Sequence, residues 1–188
     1  MRPILRASLL SCAAMAGGDA LQQGIARARA KAGAGGSSRP ESEKWSWART
    51  ARFASVGLCL HGPFFFAGFS ALDRRFPGKA LSAVVAKTAT GQVTLFPAYL
   101  ATALFALAAL EGETLERAAA RAGAAFPRAF AAGCAFWPAA NLVNFALVPP
   151  GLGRVVYVNA AALVWNSYLS LVAADAAACM ERAGVVGK

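Results

Sequence analysis

The chain holds one histidine, His61, and four cysteines, Cys12, Cys59, Cys134 and Cys179, which lie far apart with no Cys-x-x-Cys pair. Ligands this sparse make no metal site, and the thiols read as small apolar packers rather than disulfide partners. No phosphate-cradling Gly-rich motif occurs, and Gly68-Phe69-Ser70-Ala71-Leu72 lacks the second glycine of a nucleophile elbow. The sequence therefore predicts no catalytic residue and no cofactor, and the chain does not read as an enzyme. The most informative absence is charge itself. Residues 53–72, 88–110, 129–153 and 155–174 contain no Asp, Glu, Lys or Arg.

Runs of about twenty uncharged residues match the thickness of a bilayer's hydrocarbon core when helical. A soluble helix needs a charged outer face, and a barrel strand needs short alternation; these runs have neither. What the chain does have is 57% hydrophobic residues, with its 15% of charged residues set between the runs. The fold class is all-α: a polytopic transmembrane helical bundle of four to five apolar helices plus a short amphipathic surface helix. It forms a single membrane domain, 1–188, with a flexible Gly/Ser-rich linker at about 32–44.

The formal charge of +10 accompanies no zinc-finger, helix-turn-helix or RNP pattern, so no nucleic-acid partner is expected. The largest basic cluster, Arg27, Arg29, Lys31, Arg39, Lys44, Arg49 and Arg52, lies between the first two apolar segments, where it meets anionic headgroups or simply sets topology. Trp45 and Trp47 stand where interfacial rings settle. The expected partners are the lipid bilayer, small solutes or ions, and a second copy in a homo-oligomer.

Residues 1–18 imitate a secretory signal, with Arg2 and Arg6 ahead of an apolar run and Ala14-Met15-Ala16 as a cleavage-like site. An Arg-bearing start without acids also suits a mitochondrial import signal. The helical pattern nevertheless continues past Asp19, Gln22 and Gln23 to Ile25, and an acid at that depth marks a retained, functional helix. Segment A is read as 4–28, B as 50–72, C as 79–110, D as 126–148 and E as 152–182. A surface helix over 111–125 carries Glu113, Glu116, Arg117 and Arg121 at three- and four-residue spacing. Lys87 in segment C is expected to snorkel from one end. Four and five crossings both fit.

Polar residues within these segments form stripes. Trp137, Asn141, Asn144 and Val148 fall at i, i+4, i+7 and i+11 of segment D, and Asn159, Asn166 and Ser170 at i, i+7 and i+11 of segment E. Segment A adds Asp19 and Gln22, and segment C adds Gln92. An amide facing lipid without a partner costs several kcal/mol, so the stripes must meet in interhelical hydrogen bonds or around a watery path. Gly62, Pro63, Pro97, Trp137 and Pro138 mark hinges or kinks, because each proline frees backbone groups. His61 is expected to hydrogen-bond at the Gly62-Pro63 kink.

The string 136–149, FWPAANLVNFALVP, followed by Arg154 and by Trp165-Asn166-Ser167-Tyr168-Leu169-Ser170, resembles the C-terminal signature of the Mpv17/PMP22 family. Gly18-Asp19 with Gln22 or Gln23, Gly62-Pro63, Leu72-Asp73 before Pro77-Gly78, and Gln92 before Pro97 resemble further family landmarks in order. The chain departs from the pattern at Phe64-Phe65-Phe66 and Gly68-Phe69, where the family usually shows a His and a Trp-Tyr pair. It departs again at Gly91, where an Asp is usual, and at Asn141, where a Gln is usual. The resemblance implies an integral protein of the mitochondrial inner membrane or the peroxisomal membrane, in a family with members that form weakly selective channels. The loss of the acid at Gly91 implies altered selectivity. Two readings of the stripes remain: the lining of a narrow pore with Asp19 as an ion-attracting carboxylate, or the locks of a non-conducting scaffold.

Overall fold

The computed structural model describes residues 3–33 and 45–165, with side chains over 3–28 and 45–165. Helix α1 is Pro3–Gly33, α2 is Trp47–Arg75, α3 is Leu81–Leu110, α4 is Leu115–Leu147 and α5 is Leu152–Trp165. Among the described residues, four helices are long and apolar enough to cross a membrane. Residues 34–44, which make up most of the expected linker, lie outside the described residues, as do Asn166 and Ser170.

Contacts fix the helix directions. Gly57 and Gly62 of α2 pack on Ser11 and Ser8 of α1, in antiparallel order. Gly68 meets Leu95, and His61 meets Tyr99, so α3 returns antiparallel to α2. Phe96 stacks on Phe130 while Val84 shares a core cluster with Phe145, which sets α4 against α3. Phe136 meets Trp165 across α4 and α5, and Gly18 meets Leu163 while Ser11 meets Asn159, so α5 runs parallel to α1. One face of the bundle thus collects the start of α1, the end of α2, the start of α3, the end of α4 and the start of α5. We call this the first face.

Helix boundaries follow local chemistry. Ser46 caps α2, its hydroxyl accepting from the Arg49 N–H at 3.2 Å, and Thr114 caps α4 by accepting from the Arg117 N–H at 3.3 Å. The turns at the first face are closed by Gly78 and Gly151, with φ of 86° and 94°, values that favour glycine.

The structure corrects one expectation. The amphipathic segment at 111–125 is not a separate surface helix: from Leu115 it forms the first turns of the 33-residue α4, which runs on through Pro127 and Pro138. At 1.5 Å per residue α4 spans about 50 Å, well beyond a hydrocarbon core of about 30 Å. Its charged first turns therefore project from the bilayer, and Arg121 there pairs with Glu111. Within segment C, α3 breaks at Thr94 into Leu81–Val93 and Leu95–Leu110. Pro97 excludes the carbonyl of Val93, four residues back, from helical bonding, so the break falls ahead of the proline.

Pro63 acts in the same way on α2, whose residues Gly57–His61 widen into a π-helical turn. The Gly62 N–H donates to the Gly57 carbonyl across five residues, which turns both glycines toward α1. Small residues on both sides let the two backbones approach closely.

Candidate functional site

Among the described residues, the bundle interior holds three hydrogen-bonded polar clusters, an unpaired polar seam and an aromatic-walled cavity. Toward the face opposite the first, Asp19 of α1 is almost fully buried, at 3% exposure. Its Oδ2 accepts from Thr50 Oγ1 and Gln23 Nε2, each at 2.7 Å, and its Oδ1 from Arg49 Nε at 2.6 Å. Gln23 continues the network, its Oε1 accepting from the Ser46 N–H at 2.8 Å and its Nε2 donating to the Ser46 carbonyl at 3.1 Å. Asp19, expected as an ion-attracting carboxylate, is here committed to Arg49 and ties α1 to the start of α2. Its charge is spent locally. Asp19→Asn is accordingly expected to lower stability by about 2 kcal/mol, the half-exposed Arg49 keeping the loss modest. Thermal unfolding in detergent measures it.

At mid-depth, Ser11 joins three helices. Its Oγ accepts from Asn159 Nδ2 of α5 at 3.0 Å and lies 3.2 Å from His61 Nδ1 of α2. Asn159 also donates to the Val155 carbonyl at 2.9 Å. His61 thus makes the hydrogen bond expected at the Gly62-Pro63 site. Gln22 borders a void of about 20 Å³ between Asp19 and Asn159, room for about one water molecule.

Below the first face, Asp73 of α2 receives two cations. Lys87 Nζ of α3 lies 2.9 Å from its Oδ1, and Arg154 of α5 pairs with its Oδ2. Lys87 also donates to the Gly78 carbonyl at 2.8 Å, and Arg154 to the Val148 carbonyl at 3.4 Å. Phe145 of α4 lies under both cations, 4.8 Å from Arg154 Cζ and 5.8 Å from Lys87 Nζ. Lys87 does not snorkel: it is 1% exposed, because a carboxylate sits within reach on the next helix. Sequence reasoning missed this triad, having read Asp73 only as a landmark ahead of the Pro77-Gly78 turn. Its available signal was position, since Asp73 and Arg154 each flank a Pro-Gly turn.

The remaining stripe residues lack comparable partners. Gln92 Nε2 donates to Cys134 Sγ at 3.3 Å, a weak acceptor. Among the described residues, Gln92 Oε1, Thr88 Oγ1, Asn141 Oδ1 and both polar atoms of the Asn144 side chain have no protein hydrogen-bond partner. Thr88 and Gln92 lie at i and i+4 on α3, and Asn141 and Asn144 at i and i+3 on α4, the helix that packs along it.

Beside this seam, all five helices enclose a cavity of about 240 Å³. Its wall is mainly aromatic and aliphatic, including Phe65, Phe69, Phe96 and Trp137, with Asn141, Tyr99 and His61 as its polar members. Trp137, grouped above with the hinges, is a wall residue wedged between Phe136 and Phe96 at ring separations of 5.1 and 6.3 Å. Pro138 lies within continuous α-helix.

The sequence model of the Mpv17 / PMP22 family matches residues 108–170. The chain is 32% identical over 173 residues to Protein sym1 of Aspergillus oryzae, covering 91% of each chain. It is 32% identical over 133 residues to the mitochondrial inner membrane protein Mpv17 of Drosophila melanogaster, covering 69% of this chain and 78% of that one. With PXMP2/4 family protein 4 of Dictyostelium discoideum it shares 27% identity over 152 residues, covering 81% and 76%. No solved structure matches.

Proposed function

Because this chain belongs to the Mpv17/PMP22 family, which includes a mitochondrial inner membrane protein among its relatives, we propose that it is a channel for small solutes. In this reading the path runs through the α3–α4 seam and the adjoining cavity. The observation that carries it is the set of unpaired polar atoms on Thr88, Gln92, Asn141 and Asn144 at membrane depth. Each buried polar atom left dry costs about 1–3 kcal/mol. A native bundle retains several on two packed helices where opening of the seam lets water or a passing solute satisfy them. The breaks at Thr94 and at Gly57–His61 border the same cavity and give the helices places to flex. The chain acts without catalysis or cofactor, its partners being the bilayer, the solute and a further copy of itself rather than nucleic acid.

A second reading, a non-conducting scaffold, draws on the Asp19 and Asp73 clusters, whose polar groups lock helices together. Reconstitution of the pure chain separates the two. Solute flux into vesicles or conductance in planar bilayers is expected, reduced several-fold by Asn141→Leu or Asn144→Leu and unchanged in selectivity by Asp19→Asn. No flux from the folded protein, together with a stoichiometric partner recovered by crosslinking, would establish the scaffold instead.

A further inference from the structure

We infer that the central cavity is a slot for the tail of a single-chain anionic amphiphile, a fatty carboxylate of medium length, with Arg49 and Arg52 holding its head. Shape comes first. The wall runs from Phe53 to Phe69 on α2, from Gly91 to Leu107 on α3 and from Ala129 to Phe145 on α4. Each stretch covers sixteen residue steps, about 24 Å of helix, so the void lies lengthwise in the bundle. An apolar core cavity of about 150 Å³ accepts a six-carbon ring, so the volume of about 240 Å³ here holds a chain of about ten carbons. Among the described residues no charged side chain lines it. A hydrocarbon tail therefore enters, while a charged head stays at the end.

The two ends of the slot differ. Toward the first face Phe69, Gly91 and Phe145 are buried, and the slot closes on the core cluster beneath the Asp73 triad. At the opposite end Phe53, Leu107 and Ala129 are each partly exposed, which makes that end the mouth. Arg49 stands over it, its Cζ 5.9 Å from the centre of the Phe53 ring. Its guanidinium meets Asp19 through Nε alone, and the side chain is 42% exposed. Among the described residues the two terminal nitrogens have no protein acceptor, and together they form a fork that suits a carboxylate. Arg52, half-buried and one turn ahead of the wall residue Val56, makes no ion pair among the described residues. Glu111, just past the end of α3, is taken by Arg121. An anionic head thus meets two guanidiniums with donors to spare. The inference goes beyond the channel reading, because slot and mouth stand whether or not the seam conducts.

Tryptophan quenching of the full chain in lipid nanodiscs tests it, because Trp137 and Trp165 line the slot and Trp45 and Trp47 can be replaced by Phe. Three probes share one brominated chain and differ in the head: 11-bromoundecanoate, its methyl ester and the matching trimethylammonium cation, each counted per lipid so that partitioning cancels. Saturable quenching by the carboxylate is expected, about tenfold tighter than by the ester, as charge-assisted hydrogen bonds to the head require, with no saturation by the cation. Arg52→Gln, which breaks no ion pair, should weaken the carboxylate several-fold, and Arg49→Gln with Arg52→Gln should bring it to the level of the ester without moving the ester. Ala103→Phe, which fills the slot from a buried wall position, should abolish saturation by both. The probe ranking and the Arg52 variant decide the matter even where the filling variant does not fold.

Quenching that rises linearly with every probe, as from the surrounding lipid, would overturn the proposal. So would equal saturation by the ester or the cation, the sign of a slot for any lipid tail, or a carboxylate preference that survives both arginine changes. Quenching in nanodiscs and flux in vesicles fail separately. Lost saturation with flux intact removes the ligand alone, and lost flux with saturation intact removes the channel alone.

Discussion

Asp73→Asn is expected to destabilise the bundle by about 3 kcal/mol, whereas Lys87→Met, at the opposite pole of the same contact, should stay within about 1 kcal/mol of the unaltered chain. The asymmetry follows from charge. Asp73 is one carboxylate between two buried cations, so the triad carries one unit of excess positive charge. Removing the acid leaves Lys87 and Arg154, both about 1% exposed, facing each other with backbone carbonyls as their remaining acceptors. Removing Lys87 leaves a neutral Arg154–Asp73 pair and orphans only the bond to the Gly78 carbonyl. The double variant Asp73→Asn, Lys87→Met restores the original net charge and should recover part of the loss. Thermal unfolding in detergent orders the three variants; Lys87→Met proving as damaging as Asp73→Asn would show that the triad is not held by this balance.

Gly62→Ala should cost a similar amount for a steric reason. A Cβ at Gly62 would lie 2.5 Å from Ser8 Cα and 2.7 Å from the Ala7 carbonyl oxygen, and one at Gly57 would lie 2.5 Å from the Ser11 carbonyl oxygen. Both obstacles are backbone, so α1 must move away, and the Ser11 contacts to His61 and Asn159 open with it. Forced repacking of this kind costs about 3 kcal/mol. The control is Gly24→Ala in α1: it meets nothing within 4 Å and should stabilise by somewhat under about 1 kcal/mol through helix propensity alone. If Gly62→Ala behaves like Gly24→Ala, the close α1–α2 approach is not what the π-helical turn serves.

These two sites illustrate different degrees of legibility. Gly62 and Pro63 announced an irregular point in α2, because a proline cannot donate its N–H and glycine marks either a turn or a close approach. That the irregularity serves to seat α2 on Ser8 and Ser11 required the packed helices. Asn141 and Asn144 were legible as a stripe from their spacing alone. Asp19 was legible as a functional acid but not as the partner of Arg49, thirty residues on. Asp73 and Arg154, eighty-one residues apart, stood at helix ends beside turns, with nothing in their spacing to pair them.

The amino-acid order by itself determined that this chain is a bundle of membrane helices and where those helices turn, because an uncharged run in lipid has only helical hydrogen bonding open to it and Pro-Gly pairs end helices by local geometry. Tertiary structure alone decided which buried polar group is paired and which is left without a partner. Desolvation demands that such a group find a partner without specifying one, and the choice belongs to whichever helix the bundle brings within 3 Å. Asp19 and Asp73 met arginines and a lysine there. Asn141 met a cavity.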